Sequence, residues 1–206
     1  MIRSDRQGAF ICLVVIMRVI AGQFRGTRLF APKDRLIRPT SDRVREYIFS
    51  CIQDEVQQTR VADLFAGTGA IGIESISRGA DNVTFVDASR QATALLERNL
   101  DKLGIKAEIY KRTVESFLKH AGDMAPFDFI FCDPPYKYDH FENIISLIEE
   151  QNVLCSGGQI IYESDSRRDA PKHNNFTIIR QKKMGETQIT FYRNENGKDS
   201  NLPGHI

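Results

Sequence analysis

From Arg60 onward the chain alternates between short apolar runs and longer segments whose apolar residues recur every three to four positions. The short runs, Arg60 to Phe65, Asn82 to Asp87, Ala107 to Lys111, Phe127 to Cys132 and Gln159 to Glu163, have the length and residue types of buried strands. Between them lie helical patterns. Ala70 to Arg78 is closed by Gly79, and Ser89 to Leu103 carries Ala92, Leu95, Leu96, Leu100 and Leu103 on one face before Gly104. A short helix from Ser116 and a longer one from Phe141 to Glu150 complete the set. Such alternation, with right-handed crossovers, predicts an α/β fold built on a doubly wound parallel sheet. The end of the chain differs: Phe176 to Gln181 and Gln188 to Arg193 alternate apolar and polar residues around Gly185, a hairpin that brings the last strand in antiparallel. Ahead of the sheet, Pro39-Thr40-Ser41 opens a helix whose stripe of Val44, Ile48, Cys51, Ile52 and Val56 points to core packing.

With 206 residues and 41% apolar content, the chain suffices for one well-buried domain and a small appendage. Its net charge is only +1, but the charge is segregated. Residues 18 to 45 hold eight Lys/Arg against two acids, and 167 to 193 hold seven against two, while 46 to 166 hold ten against twenty. Basic arms of this kind suit a polyanionic partner. Cys12, Cys51, Cys132 and Cys155 are widely spaced, as are the four histidines, so neither a metal site nor a disulfide framework is expected, and the chain reads as cytoplasmic. The run Ala9 to Met17 is too short for a bilayer, and Arg18 directly after it argues against export. No membrane association is expected. The expected division is an extension at 1–16, a basic segment with a helix at 17–59, the sheet domain at 60–193 and a tail at 194–206.

Two motifs carry chemistry. The first, Asp63-Leu64-Phe65-Ala66-Gly67-Thr68-Gly69-Ala70-Ile71-Gly72, is a G-x-G-x-x-G turn between a strand and a helix, and Asp87 ends the next strand, where an acid can hold ribose hydroxyls. These glycines fit a dinucleotide or a smaller adenosine cofactor equally, which keeps an NAD-dependent oxidoreductase in consideration. Asp63 would repel a pyrophosphate and attract a cationic amino-acid moiety such as that of S-adenosylmethionine; the alternative for Asp63 is a helix or loop cap, and for Asp87 an N-cap of the helix from Ser89. The second motif is Asp133-Pro134-Pro135-Tyr136. Two prolines remove two N–H groups and fix φ, leaving the Asp133 carboxylate and the Pro134 carbonyl as held acceptors, a site that wants an amino group. Tyr136 offers a face on which a nucleobase can stack. Together these features suit methylation of an aromatic amine.

At these residues the chain resembles a known family. Met17-Arg18-Val19-Ile20-Ala21-Gly22 with Gly26, Arg38-Pro39-Thr40-Ser41-Asp42-Arg43-Val44-Arg45-Glu46, the stretch from Asp63 to Glu74 with Ser77-Arg78-Gly79-Ala80, and Phe127 to Tyr136 together resemble the bacterial 16S ribosomal RNA guanine-N2 methyltransferases. The resemblance runs from Met17 to about Arg193 and implies a Rossmann-like class I fold, its seven strands in the order 3-2-1-4-5-7-6, with S-adenosylmethionine as cofactor and no metal. It places the cofactor against Asp63, Phe65, Gly67, Thr68, Gly69, Gly72, Asp87 and Ala88. Thr113 and Val114 fall near the adenine, where many such enzymes have an acid that this chain lacks. Asp133, Pro134, Pro135 and Tyr136 take the catalytic place, and Arg38, Thr40, Arg43 and Arg45 are implied to contact RNA. The implied partner is 16S ribosomal RNA, naked or in a partly assembled small subunit, met by a monomer, with Met17 as the expected start of the chain. A DNA or RNA adenine or cytosine amino-methyltransferase and a non-catalytic RNA-binding module remain as alternatives.

Overall fold

The computed structural model describes residues 17–31, 41–124, 126–135 and 138–195. The extension at 1–16, together with Arg38, Thr40 and Tyr136, lies outside the described residues. A seven-stranded sheet is formed by β1 (Arg60–Leu64), β2 (Asn82–Val86), β3 (Glu108–Tyr110), β4 (Phe127–Cys132), β5 (Leu154–Asp165), β6 (Phe176–Met184) and β7 (Thr187–Asn194). Helices α1 (Asp42–Ile52), α2 (Ala70–Ser77), α3 (Arg90–Leu103), α4 (Val114–Leu118) and α5 (Phe141–Glu150) accompany it. The strand order is β3-β2-β1-β4-β5-β7-β6, as the resemblance implies, and β7 runs antiparallel to both of its neighbours.

Period-two alternation sorts the strand residues between two cores. Val61, Phe85, Phe129, Phe131 and Ile161 face one side, where α1, α2, α3 and residues 17–29 cover them. Ala62, Leu64, Val86, Ile130, Cys132, Ile160 and Tyr162 face the other, beneath α4 and α5. Because both faces are covered, β1, β2 and β4 read as nearly continuous apolar runs, and their bounds lie within a residue of those the sequence predicts. β5 is longer than its apolar run, since β7 pairs with it as far as Asp165 opposite Thr187. The chain winds outward from β1 to β3, then returns to lay β4 against β1. This reversal opens a crevice at the carboxyl ends of β1 and β4, the place where doubly wound sheets bind ligands.

Residues 17–31 fold into a small loop closed by the bridge between Arg18 and Arg28, and its partners lie on α1, α2 and α3. The buried Glu74 carboxylate accepts from the N–H groups of Ile20 and Ala21 at 2.7 and 3.0 Å. Ser77 Oγ accepts from Phe24 N–H and donates to Ala21 C=O. Backbones touch so closely here that a Cβ on Gly22 would fall 1.7 Å from the Ser77 carbonyl oxygen. Only glycine fits. On α3, Asn99 accepts from Phe30 N–H and donates to the carbonyls of Phe30 and Thr68, tying the loop to the glycine turn.

The same loop explains why Arg45 is not an RNA contact. Its side chain is fully buried, donating to Arg18 C=O at 2.8 Å and to Asp42 at 2.7 Å, with Glu74 3.9 Å away. Arg78 donates to the other oxygen of Glu74 at 2.8 Å. Arg45 is therefore an internal cation that joins α1, α2 and the N-terminal loop, and no phosphate can reach it. Arg43, by contrast, is exposed on α1.

Candidate active site

At the carboxyl edge of the sheet, Leu64 of β1 stands in register with Val86 of β2 and Cys132 of β4. The residues that follow, Phe65, Asp87 and Asp133, consequently emerge side by side. Phe65 has φ +62°, an uncommon conformation for an aromatic residue, and turns the chain directly into the glycine loop. Gly67 has φ +58°, and a Cβ there would meet only the Phe65 carbonyl, at 3.9 Å, so its open side can admit a ligand.

The remaining turn residues serve the scaffold. A Cβ on Gly69 would strike Leu96, and one on Gly72 would strike Phe85, each at 2.2 Å, so these two glycines allow α2 to pack closely. Both are buried, and the Gly72 N–H is already given to Asp63 at 2.9 Å. Thr68 is likewise buried, its hydroxyl directed at Met17 Sδ.

Asp63 lies at the base of the crevice with 3% of its surface exposed. Burial pushes its carboxyl up to about 7; the Gly72 N–H pulls it back, and the nearby charges of Asp133 and Asp87 add to the rise. Both readings of this residue thus have a basis: it caps α2, and it is a carboxyl short of a cation. Asp87 accepts from Gly67 N–H at 2.8 Å and from Ser89 N–H at 2.7 Å. Each carboxylate oxygen keeps a further acceptor position, the kind that ribose hydroxyls fill. Ala88 beside it is exposed.

After β4, Asp133 and Pro134 are half-buried and Pro135 is exposed. The turn is tightened by Tyr138 N–H donating to the Pro135 carbonyl at 2.7 Å. Tyr138 belongs to no motif legible in the sequence, yet it is central to this wall. Its ring meets Phe65 edge-on at 5.2 Å, and its hydroxyl donates to Glu115 of α4 at 2.5 Å. Burial would raise the Glu115 carboxyl, but this hydrogen bond and the local N–H and hydroxyl donors outweigh it and hold the group below its usual range. The signal for Tyr138 in the sequence is its place as a second aromatic, two positions after Tyr136. Thr113 caps α4 by accepting from Ser116 N–H, which starts that helix at Val114, two residues before the expected Ser116; the Val114 side chain enters the core. Of the two residues expected near an adenine, Thr113 is thus exposed while Val114 is turned inward.

The arrangement suits an adenosine-type cation: an open glycine turn, two acceptor positions for a diol and three neighbouring carboxyls that favour positive charge. Among the described residues no group of His, Cys, Asp or Glu side chains is placed to hold a metal ion, and no helix is long and apolar enough to cross a membrane. A shallow hollow of about 340 Å³ beside Ile76, Val83 and Glu108 lies at the opposite edge of the sheet, away from this chemistry.

The strand order, the antiparallel seventh strand and the glycine turn with its acid-tipped neighbour define a Rossmann-like class I methyltransferase fold. Residues 17–193 match the family described as Conserved hypothetical protein 95, and the chain belongs to that family. It is 33% identical over 181 residues to Ribosomal RNA small subunit methyltransferase D of Haemophilus influenzae, covering 86% of this chain and 94% of that protein. Its identity to the Escherichia coli K12 protein of the same name is also 33% over 181 residues, covering 87% and 90%. Among solved structures, yhhF of Escherichia coli, which carries a provisional methyltransferase name, matches with a TM-score of 0.79 at 33% identity, covering 86% of this chain and 97% of that one.

Proposed function

We propose that this protein transfers a methyl group from S-adenosylmethionine to the exocyclic N2 amine of a guanine in small-subunit ribosomal RNA. The observation that carries the reading is the acceptor-only loop Asp133-Pro134-Pro135 set beside the acid-lined glycine turn. Relatives named as small-subunit ribosomal RNA methyltransferases, similar over nine-tenths of their own length, support the substrate class.

When bound, the cofactor supplies an electrophilic methyl group on a sulfonium. Asp63 would offset its positive charge, Asp87 would accept from the ribose hydroxyls, and the Gly67 backbone would leave room for the methionyl part. Asp133 and the Pro134 carbonyl accept from the two amine hydrogens of a base turned out of its stack, which localises the nitrogen lone pair and aims it at the methyl carbon. The sulfonium would supply the methyl carbon at the cost of its carbon–sulfur bond, whose electron pair would stay on sulfur. The methylated amine then loses a proton to Asp133 or water. Tyr136 is assigned to stack on the base, and Arg38, Thr40 and Arg43 to contact phosphates near the mouth. Such a substrate places the protein in the cytoplasm.

The direct test is incubation with small-subunit RNA, and separately with partly assembled subunits, using a methyl-labelled donor, followed by nucleoside mass spectrometry. Label in N2-methylguanosine is the expected result. Label in N6-methyladenosine or N4-methylcytidine would favour the amino-methyltransferase alternative.

Asp63 gives this reading a pH signature. A carboxyl whose folded value is about 7 favours the fold while protonated, and that contribution is lost as pH rises from its unfolded value near 4 to about 7. A cationic ligand restores the charged form, so donor affinity is expected to rise as pH increases to about 7 and then level off. At pH 6, calorimetry in buffers of different ionisation heat should show proton release on binding. Asp63→Asn is expected to bind the donor about tenfold more weakly, with no pH dependence from this site, and to melt no lower than wild type at pH 8. Unchanged proton release in Asp63→Asn would remove Asp63 from the cofactor site.

A further inference from the structure

Phe30 is one of two large apolar side chains exposed among the described residues, and it does not stand alone. The Arg98 guanidinium lies 4.3 Å from its ring centroid and the Lys102 ammonium 5.1 Å from it. Lys102 also donates to the Arg28 carbonyl at 2.7 Å, bringing the exposed Arg28 to the same patch. Arg98 and Lys102 stand four residues apart on α3, a spacing at which like charges repel one another on a helix. No carboxylate among the described residues relieves them. Glu97, the acid beside Arg98 in the chain, is engaged by Lys111 at 2.7 Å, and Asp101 pairs with neither cation.

An aromatic ring that gathers two cations with no carboxylate partner among the described residues has a cost in repulsion and in side-chain ordering, and a polyanion offsets both. The ring holds the planar guanidinium in place before any partner arrives, which lowers the entropy cost of binding. The backbone of Phe30 is fixed by Asn99, whose amide also holds the Thr68 carbonyl of the glycine turn, so the patch is rigidly joined to the catalytic edge.

We propose that Arg28, Phe30, Arg98 and Lys102 form a docking surface for the sugar–phosphate backbone of the substrate RNA, outside the pocket that takes the target base. The proposal deepens the assignment of RNA as substrate and rests on it. Phe30 acts as a platform for Arg98 and Lys102, not as a stacking surface for a base.

The test is equilibrium binding of a small-subunit RNA transcript, without donor, across a range of salt concentrations. The double variant Arg98→Ala/Lys102→Ala leaves two phosphates without their cations, which should lower the log-log salt slope by about 1.4 to 1.8 and weaken binding about tenfold or more near physiological salt. Phe30→Ala keeps both charges and is expected to weaken binding a few-fold with the wild-type slope. Donor affinity and melting temperature, measured on the same preparations, verify that both variants are folded. Wild-type RNA affinity and slope in the double variant would overturn the proposal and leave the patch to an acidic protein surface. Because binding is read without methyl transfer, label found on a base atom other than guanine N2 would revise the reaction and leave this result standing.

Discussion

Replacing Asp133 with Ala is expected to lower methyl transfer by about a hundred- to a thousandfold while leaving donor affinity within a few-fold of wild type. The magnitude follows from removing one preorganised hydrogen-bonding group from a site whose catalysis rests on positioning. The Pro134 carbonyl alone leaves one amine hydrogen undirected, and the lone pair then samples orientations that miss the methyl carbon. Single-turnover rates at saturating RNA, paired with calorimetry of the donor, separate the two effects. A parallel loss of donor affinity would assign Asp133 to the cofactor site instead. That outcome has a physical route, because Asp133 is one of the charges that raise the Asp63 carboxyl.

The second large effect concerns stability. Arg45→Ala removes the buried cation that joins Arg18 C=O, Asp42 and Glu74, and is expected to destabilise the fold by about 3 to 5 kcal/mol, the usual consequence of breaking a buried ion pair from one side. For a protein of this size that corresponds to a fall in Tm of about 10 °C. Where the variant remains folded, its RNA salt slope should equal that of wild type. A lower slope with unchanged Tm would return Arg45 to the RNA interface. Arg43→Ala gives the contrasting pattern: a slope lower by about 0.7 to 0.9 for each phosphate that Arg43 neutralises, and a Tm close to wild type.

Arg45 also shows how far the sequence can be read. Strand and helix bounds are legible because a sheet covered on both faces forces apolar runs, and caps such as Ser89 and Gly104 punctuate the helices. The site's placement is legible for the same reason: a glycine turn after β1 and an acceptor loop after β4 must meet where the winding reverses. The polar residues inside the molecule are not. Arg45, with Ile48, Phe49 and Ile52, occupies the inward face of α1, and Asn99 shares the inward face of α3 with Leu96 and Leu100. A polar residue at a core position of a helical stripe signals an internal partner, but the partners, Glu74 in one case and the Phe30 and Thr68 backbone in the other, lie 29 to 69 residues away and follow only from topology. Likewise, the roles of Gly69 and Gly72 depend on Leu96 and Phe85, which no local motif reveals.

The N-terminal loop has a consequence for how the protein is made. Apart from Arg45 on α1, it depends on α2 and α3, whose Glu74, Ser77 and Asn99 follow it by 53 to 69 residues. At about 5 to 20 residues per second, a ribosome needs roughly 3 to 14 seconds to supply them. Met17, Val19 and Leu29, buried in the finished protein, therefore leave the exit tunnel before α2 and α3 can cover them. The first part of this domain to be synthesised cannot be the first to fold, and until α2 and α3 appear it is a natural client for whatever chaperone waits at the tunnel mouth.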